Sequence, residues 1–386
     1  MKILILFFMC ILTFLNYLVG SYFINAFNLT GISSAFFWSI HLIATSIMIA
    51  TPFVYRLHPV KSPGFFYNAL QWIGYILFGI YSVLIIFIAL NLSGFVLYDL
   101  LSSKNIQDKL HIKFIFALLI LGTTAFIAIV GFYQATKKPT IKKIKIKIPE
   151  LPLEFEGLKI VQMSDIHVGQ TIKADYVELL VNMSNEISPD IVVLTGDLTD
   201  GSHLQLRDEL VAFENIKAPL GKFMIPGNHE YYWGVEAWIN YWKEIGFSTL
   251  LNEHKVIEKN NSKIVMAGVH DYSVTRMGLG FTTSPQDSLI GSPQDAVKIL
   301  LAHQPRSVYE ASKAGFDLQL SGHTHSGQYF PYNILIYLFQ PYVKGLNLYK
   351  KTWIYVNQGT GYWGPPSRFG VPPEITVIEL TKGVAV

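Results

Sequence analysis

Cysteine is almost missing from this 386-residue chain: Cys10 is the only one, and it stands in an apolar run. A disulfide framework and a thiolate metal site are thereby excluded, so any metal would need nitrogen and oxygen ligands. Charge is scarce in the first third. Up to Thr136 only Lys2, Arg56, Lys61, Asp99, Lys104, Asp108, Lys109 and Lys113 are charged, whereas charges are frequent beyond it. Basic excess is lacking in the remainder, where residues 148–386 hold 18 basic and 25 acidic side chains. A nucleic-acid surface needs a basic stripe, so no nucleic-acid partner is expected.

What the first third does have is apolar length. Four runs, near residues 3–27, 35–55, 69–98 and 114–133, contain no Asp, Glu, Lys or Arg, and each matches the ~20 residues of a spanning helix. The first does not read as a cleaved signal, because no small-residue cleavage site closes it and three more runs follow. His41 is the one side chain in these runs that titrates near neutrality, and it reads as a packed residue, which makes residues 1–136 an anchor of four helices rather than an ion path. Arg56 and Lys61 between the second and third runs, and the lysines of 137–147, point to cytoplasmic ends. Lys104, Lys109 and Lys113 fall on the other side and run against that rule. Residues 137–150 read as a basic juxtamembrane linker in contact with anionic lipid.

From Gly157 the pattern alternates between strands and helices. "GLKIVQMSD", "DIVVLTGDLTD", "GKFMIPGNHE", "SKIVMAGVHD", "AVKILLAHQP", "DLQLSGHTH", "TWIYVNQG" and "EITVIEL" read as strands with their exits, and "KADYVELLVNMSNEIS", "VEAWINYWKEIG" and "SVYEASKAGF" as helices. Apolar strand cores with polar carboxyl ends suggest sheets covered by helices, which bind ligands at those ends. Metal-capable side chains stand there: Asp165 and His167, Asp197, Asn228 and His229, His303, then His323 and His325. A strand's period of two would send His323 and His325 to one side as they leave "FDLQL". Taken singly, each motif also reads as a cap or a turn. Five such exits in one domain point to a site.

"SDIH", "TGDLTD", "PGNHE", "LAHQP" and "SGHTH", in this order, resemble the motif series of calcineurin-like metallophosphoesterases, over about residues 158–380. The closing "GPPSRFGVPPEITVIEL" resembles the membrane-associated branch that includes transmembrane metallophosphoesterases and bacterial lipid-linked phosphodiesterases. The resemblance implies an α/β domain over residues 151–386, two β-sheets sandwiched by helices, behind the four-helix transmembrane region. It implies that Asp165, His167, Asp197 and His325 hold one divalent ion, and Asp197, Asn228, His303 and His323 a second, with Asp197 bridging. Mn²⁺, Fe²⁺ and Zn²⁺ all accept imidazole and carboxylate, and such pairs sit ~3.5–4 Å apart. By the same resemblance His229 protonates the leaving oxygen or stabilises the transition state, and Glu230 is its orienting partner. Ser326 stands where relatives often have glycine. Arg368 is a candidate phosphate clamp at the rim.

The uncharged, aromatic stretch 328–343 reads either as a core helix or as a membrane-facing loop beside the metals. Together with the anchor, the second reading points to a lipid or lipid-linked phosphate as substrate. The enzyme expected is a metal-dependent hydrolase of phosphodiester or pyrophosphate bonds. The other readings are a nucleotide or protein phosphatase of the same fold, or a tethered, non-catalytic binding or scaffold protein, which the complete set of ligand residues disfavours.

Overall fold

The computed structural model describes residues 2–57, 64–101 and 106–383, so Lys61 and Lys104 lie outside the described residues. The chain divides into two compact units, Met1–Gln134 with Gly364–Phe369, and Ala135–Trp363 with Gly370–Val386.

The first unit contains α1 (Lys2–Ala26), α2 (Gly31–Leu57), α3 (Phe65–Leu101) and α4 (Ile106–Thr136), each containing a stretch long and apolar enough to cross a membrane. His41 is buried as expected, with Nε2 2.8 Å from the Asn16 carbonyl oxygen and Nδ1 2.8 Å from the Tyr81 hydroxyl. Gly364–Phe369 is an excursion of the chain into this unit, where the Arg368 N–H donates to the Gly131 carbonyl (2.9 Å) and Phe369 meets Phe126 edge to face. Arg368 is fully buried. The rim position expected for it is therefore wrong: the prolines and aromatic around it carry the segment in among the helices.

The second unit has β1 (Thr140–Ile148), β2 (Lys159–Met163), β3 (Ile191–Leu194), β4 (Gly221–Met224), β5 (Ser248–Thr249), β6 (Glu253–Lys259), β7 (Ser262–Gly268), β8 (Val297–Leu301), β9 (Leu318–Ser321), β10 (Gly345–Tyr349), β11 (Thr352–Val356) and β12 (Glu374–Lys382). They form two sheets, in the orders β1-β12-β2-β3-β4-β5 and β10-β11-β9-β8-β7-β6. The pairs β2-β3-β4-β5 and β7-β8-β9-β11 are parallel, and β12-β2, β6-β7 and β10-β11 are antiparallel.

Side-chain alternation explains the layering. Ile191, Val193 and Phe223 of the first sheet share a core with Ile264, Met266, Ile299 and Leu320 of the second. Their neighbours Val192, Leu194 and Met224 face the other way, toward Val177, Leu180 and Val181 of α5 (Ala174–Ile187) and toward Trp238 and Trp242. Spacing of i, i+3, i+4 along α5 gives it the single apolar face that such a layer needs. On the outer side of the second sheet, Val265, Ala267, Leu300 and Ala302 pack against Ala311 and Phe316.

Two expectations change here. The basic stretch 137–150 is no linker, because nine of its residues form β1, paired in parallel with β12. Ile146 and Ile148 enter the core while lysines alternate outward, Lys145 reaching Glu379 at 2.8 Å. An edge strand dressed with lysine resists pairing with another chain. The stretch 328–343 is no core helix either. It folds as two short turns, Tyr332–Leu335 and Ile336–Leu338, without a buried side chain in either.

Candidate metal centre

The carboxyl ends of the central strands deliver the expected residues to one place. Asp165, His167 and His325 form one group and Asp197, His303 and His323 another, with the ligand atoms of each group within 4.8 Å of one another. His323 and His325 thus go to different groups, contrary to the reading in which a strand's period sends both to one spot. Strand β9 ends at Ser321, and both histidines have left-handed backbone (φ 71° and 47°), so the extended alternation has already stopped.

Asp165 (φ 53°), His167 (φ 56°) and Asp197 (φ 52°) share that conformation. A residue with a Cβ is held there at a cost of about 1–3 kcal/mol, and five of the seven expected ligands bear it. Ser326 has φ 52° as well, the backbone region that favours the glycine expected there by resemblance. Two glycines admit the ligand carboxylates: a Cβ on Gly227 would lie 2.2 Å from Asp197 Oδ1, and one on Gly322 2.1 Å from Asp165 Oδ2.

Hydrogen bonds fix which nitrogen each ring presents. Asp200 Oδ2 lies 3.1 Å from His167 Nδ1, and a carboxylate can only accept, so Nδ1 carries the proton and Nε2 keeps its lone pair. That Nε2 faces His325 Nε2 at 2.9 Å. His303 Nδ1–H donates to the Thr195 carbonyl at 2.7 Å, which aims Nε2 at Asp197 Oδ2, 3.2 Å away. Ring nitrogens and buried carboxylates converging in this way describe a cation site.

Asn228 supplies the most direct test of fit. Its side chain is buried, and Oδ1 has no hydrogen-bond partner. A buried unpaired carbonyl costs about 1–3 kcal/mol, and a divalent ion bound with Asp197, His303 and His323 would remove that cost. Burial lifts the Asp165 carboxyl above its usual range, with Asp197 adding to the rise. Burial acts on Asp197 too, but the pull of His303 and His229 outweighs it and holds this carboxyl well below the usual range. Burial and the charge of His303 push His323 down to about 3, whereas for His303 burial is outweighed by Asp197 and Asp165, which raise it well above its usual range; a bound ion would take the place of that proton. The residues fit divalent ions.

His229 lies beside these groups. Its N–H donates to Asp197 Oδ1 (2.8 Å), and its Nδ1 pairs with Asp200 Oδ1. Burial disfavours its charge, yet Asp197 and Asp200 outweigh burial and raise it to about 10. The orienting partner of His229 is therefore Asp200, which the sequence reading passed over, although it closes the quoted "TGDLTD". Glu230, expected in that role, instead accepts backbone N–H groups of Gly227 (2.8 Å), Asp197 (3.0 Å), Leu198 (2.7 Å) and Thr199 (3.0 Å). Its place on the short helix Asn228–Tyr232 turns the carboxylate under the Asp197 loop, away from the imidazole of the preceding residue.

Comparison with known proteins agrees with this geometry. Residues 158–327 match the family model described as calcineurin-like phosphoesterase. An uncharacterized metallophosphoesterase of Helicobacter pylori (strain ATCC 700392 / 26695) is 35% identical over 305 residues, covering 78% of this chain and 79% of its own. A transmembrane protein with metallophosphoesterase domain from Danio rerio is 36% identical over 267 residues (67% of this chain, 61% of its own), and its Bos taurus counterpart is 34% identical over 275 (68% and 62%). The chain thus spans about three fifths of these two vertebrate proteins. Sequence, strand-end ligands and relatives together make this chain a member of the calcineurin-like metallophosphoesterase family, carried behind four apolar helices.

Proposed function

We propose that the protein is a membrane-anchored, dinuclear phosphoesterase that hydrolyses a phosphodiester or pyrophosphate bond of a lipid-linked substrate at the cytoplasmic face. The observation that carries this reading is the convergence of the Asp165–His167–His325 and Asp197–His303–His323 groups, with His167, Asp200 and His229 forming a third beside them and Asn228 Oδ1 left without a partner. Asp165, His167, Asp197 and His325 would hold one ion, and Asp197, Asn228, His303 and His323 the other. Bound divalent ions supply Lewis acidity and a water of lowered pKa.

The chain's own groups do the rest. Asp200 takes the Nδ1–H of His229 and fixes the ring, so Nε2 is the atom that gives a proton to the leaving oxygen. Glu230 ties the backbone of Gly227 and of residues 197–199 into one rigid base beneath the ligands. Support for a lipid-linked substrate comes from the stretch after His325, where Ile334, Tyr337, Leu338 and Phe339 are 61%, 57%, 77% and 66% exposed. Exposed aromatic and aliphatic side chains of this kind favour the lipid interface, and the chain already resides in a membrane.

The test is metal content and turnover of the purified full chain with a soluble bis-aryl phosphodiester and added Mn²⁺, Fe²⁺ or Zn²⁺. Asp197→Asn should remain membrane-bound and folded while losing metal and activity together, since the shared ligand loses its charge. Wild-type metal content in that variant would defeat the two-ion assignment.

A further inference from the structure

Two large aromatic side chains flank His229 and stay half in solvent. Tyr232 lies 5.3 Å from the imidazole, ring centre to ring centre, and Trp363 5.5 Å, both edge to face. They are 50% and 54% exposed. Tyr232 comes from the end of the helix Asn228–Tyr232, whereas Trp363 belongs to the segment between β11 and β12.

Trp363 is held in place by an unusual device. Its N–H donates to Gln328 Oε1 at 2.8 Å, and its carbonyl accepts from Gln328 Nε2 at 3.0 Å, so a single amide holds both backbone polar groups of Trp363. Gln328 is buried, three residues past His325, and has a left-handed backbone (φ 62°). A strained, buried residue that fixes an exposed indole over the reacting side of a site asks for a ligand on that indole.

The chemistry of the step says which part of the ligand lies there. Hydrolysis forms a bond from a water oxygen to phosphorus and breaks the bond to the leaving oxygen. The leaving oxygen keeps the electron pair and takes the Nε2 proton of His229, and the proton lost by the water passes to solvent. The substituent on the leaving oxygen therefore lies beside His229, between Tyr232 and Trp363.

Resting on the phosphoesterase reading, we infer that Tyr232 and Trp363 form a leaving-group subsite that selects a flat ring, an aryl group or a heteroaromatic base. Stacking on an exposed indole or phenol favours such a ring over an alkyl chain of the same size. Gln328 is a positioning residue in this arrangement, acting through the backbone of Trp363.

The experiment uses the metal-loaded full chain and two soluble phosphodiesters of matched leaving-group acidity, one with an aryl and one with a polyfluoroalkyl leaving group. Wild type should prefer the aryl ester in kcat/KM by about 5- to 150-fold, the usual worth of one stacked ring. Trp363→Ala should collapse that ratio toward one at wild-type metal content, and Trp363→Phe, which keeps a ring, should retain most of it. Equal rates for the two esters in wild type, or an unchanged ratio in Trp363→Ala, overturn the subsite while leaving the phosphoesterase reading intact. Hydrolysis of neither ester with any metal would overturn both.

Discussion

Replacing Glu230 by Gln separates two roles that its position beside His229 invites. The carboxylate accepts four backbone N–H groups, those of Asp197 and Gly227 on one oxygen and those of Leu198 and Thr199 on the other. A glutamine has one oxygen and one NH₂, so in either orientation two of the four N–H groups face a donor. Each buried N–H left without an acceptor costs about 1–3 kcal/mol, which gives about 2–6 kcal/mol for the pair. For a domain of ~150–250 residues 1 kcal/mol is worth about 2–4 °C, so the apparent Tm should fall by roughly 4–24 °C. The assay is thermal unfolding of the detergent-solubilised full chain, followed in parallel with metal content. Metal should be lost with stability, because the loops that loosen carry Asp197 and Asn228. If Glu230 acted by orienting the His229 ring, the variant would melt with wild type, keep its metal and lose only rate. That outcome would refute the structural role.

The remaining predictions concern the acid and the topology. His229→Ala should keep both metals and lower turnover by ~10² to 10⁴, with a smaller loss for a good leaving group; equal losses for good and poor leaving groups would make His229 merely positional. Asp200→Asn removes one of the charges that outweigh burial and raise the His229 pKa, so that pKa falls. Since the acid must be protonated, the high-pH limb of the kcat/KM profile should move to lower pH; a limb that stays where it is would exclude His229 as the acid. A reporter fused after Val386 that works only in the cytoplasm should be active, given the lysines and Arg56 on that side. Activity of a reporter that works only outside would place the domain, and its lipid substrate, across the membrane.

The sequence by itself determined the long apolar helices and the interior strands of both sheets. The four apolar runs recur as α1 to α4, and all eight strands read from the sequence are present. The strands that it did not disclose are β1, β5, β6 and β10, and these are the four edges of the two sheets. An edge strand has a partner on one side only and is partly solvated, so lysines and glutamates stand in β1 and β6 where a central strand has valine, and the apolar run that signals a strand is broken. In β1 the alternation of Ile with Lys was visible, but its high charge after an apolar run also fits a juxtamembrane collar.

The metal-capable residues were legible because their chemistry is confined to a few residue types and the strand exits repeat. Their grouping came only from the family resemblance and not from the residue pattern, whose period of two sent His323 and His325 to one spot. Which histidine joins which carboxylate follows from the left-handed turns at Asp165, His167, Asp197, His323 and His325, and those turns are stable only against the surrounding backbone. Asp200 takes the place expected for Glu230 beside His229 for the same reason, since a short helix decides where the Glu230 carboxylate points. Arg368 and Trp363 stand five residues apart, yet one is buried and the other lies open beside His229. Residue type fixed what chemistry was available, and only the packing of the two sheets and their connecting loops decided which groups meet.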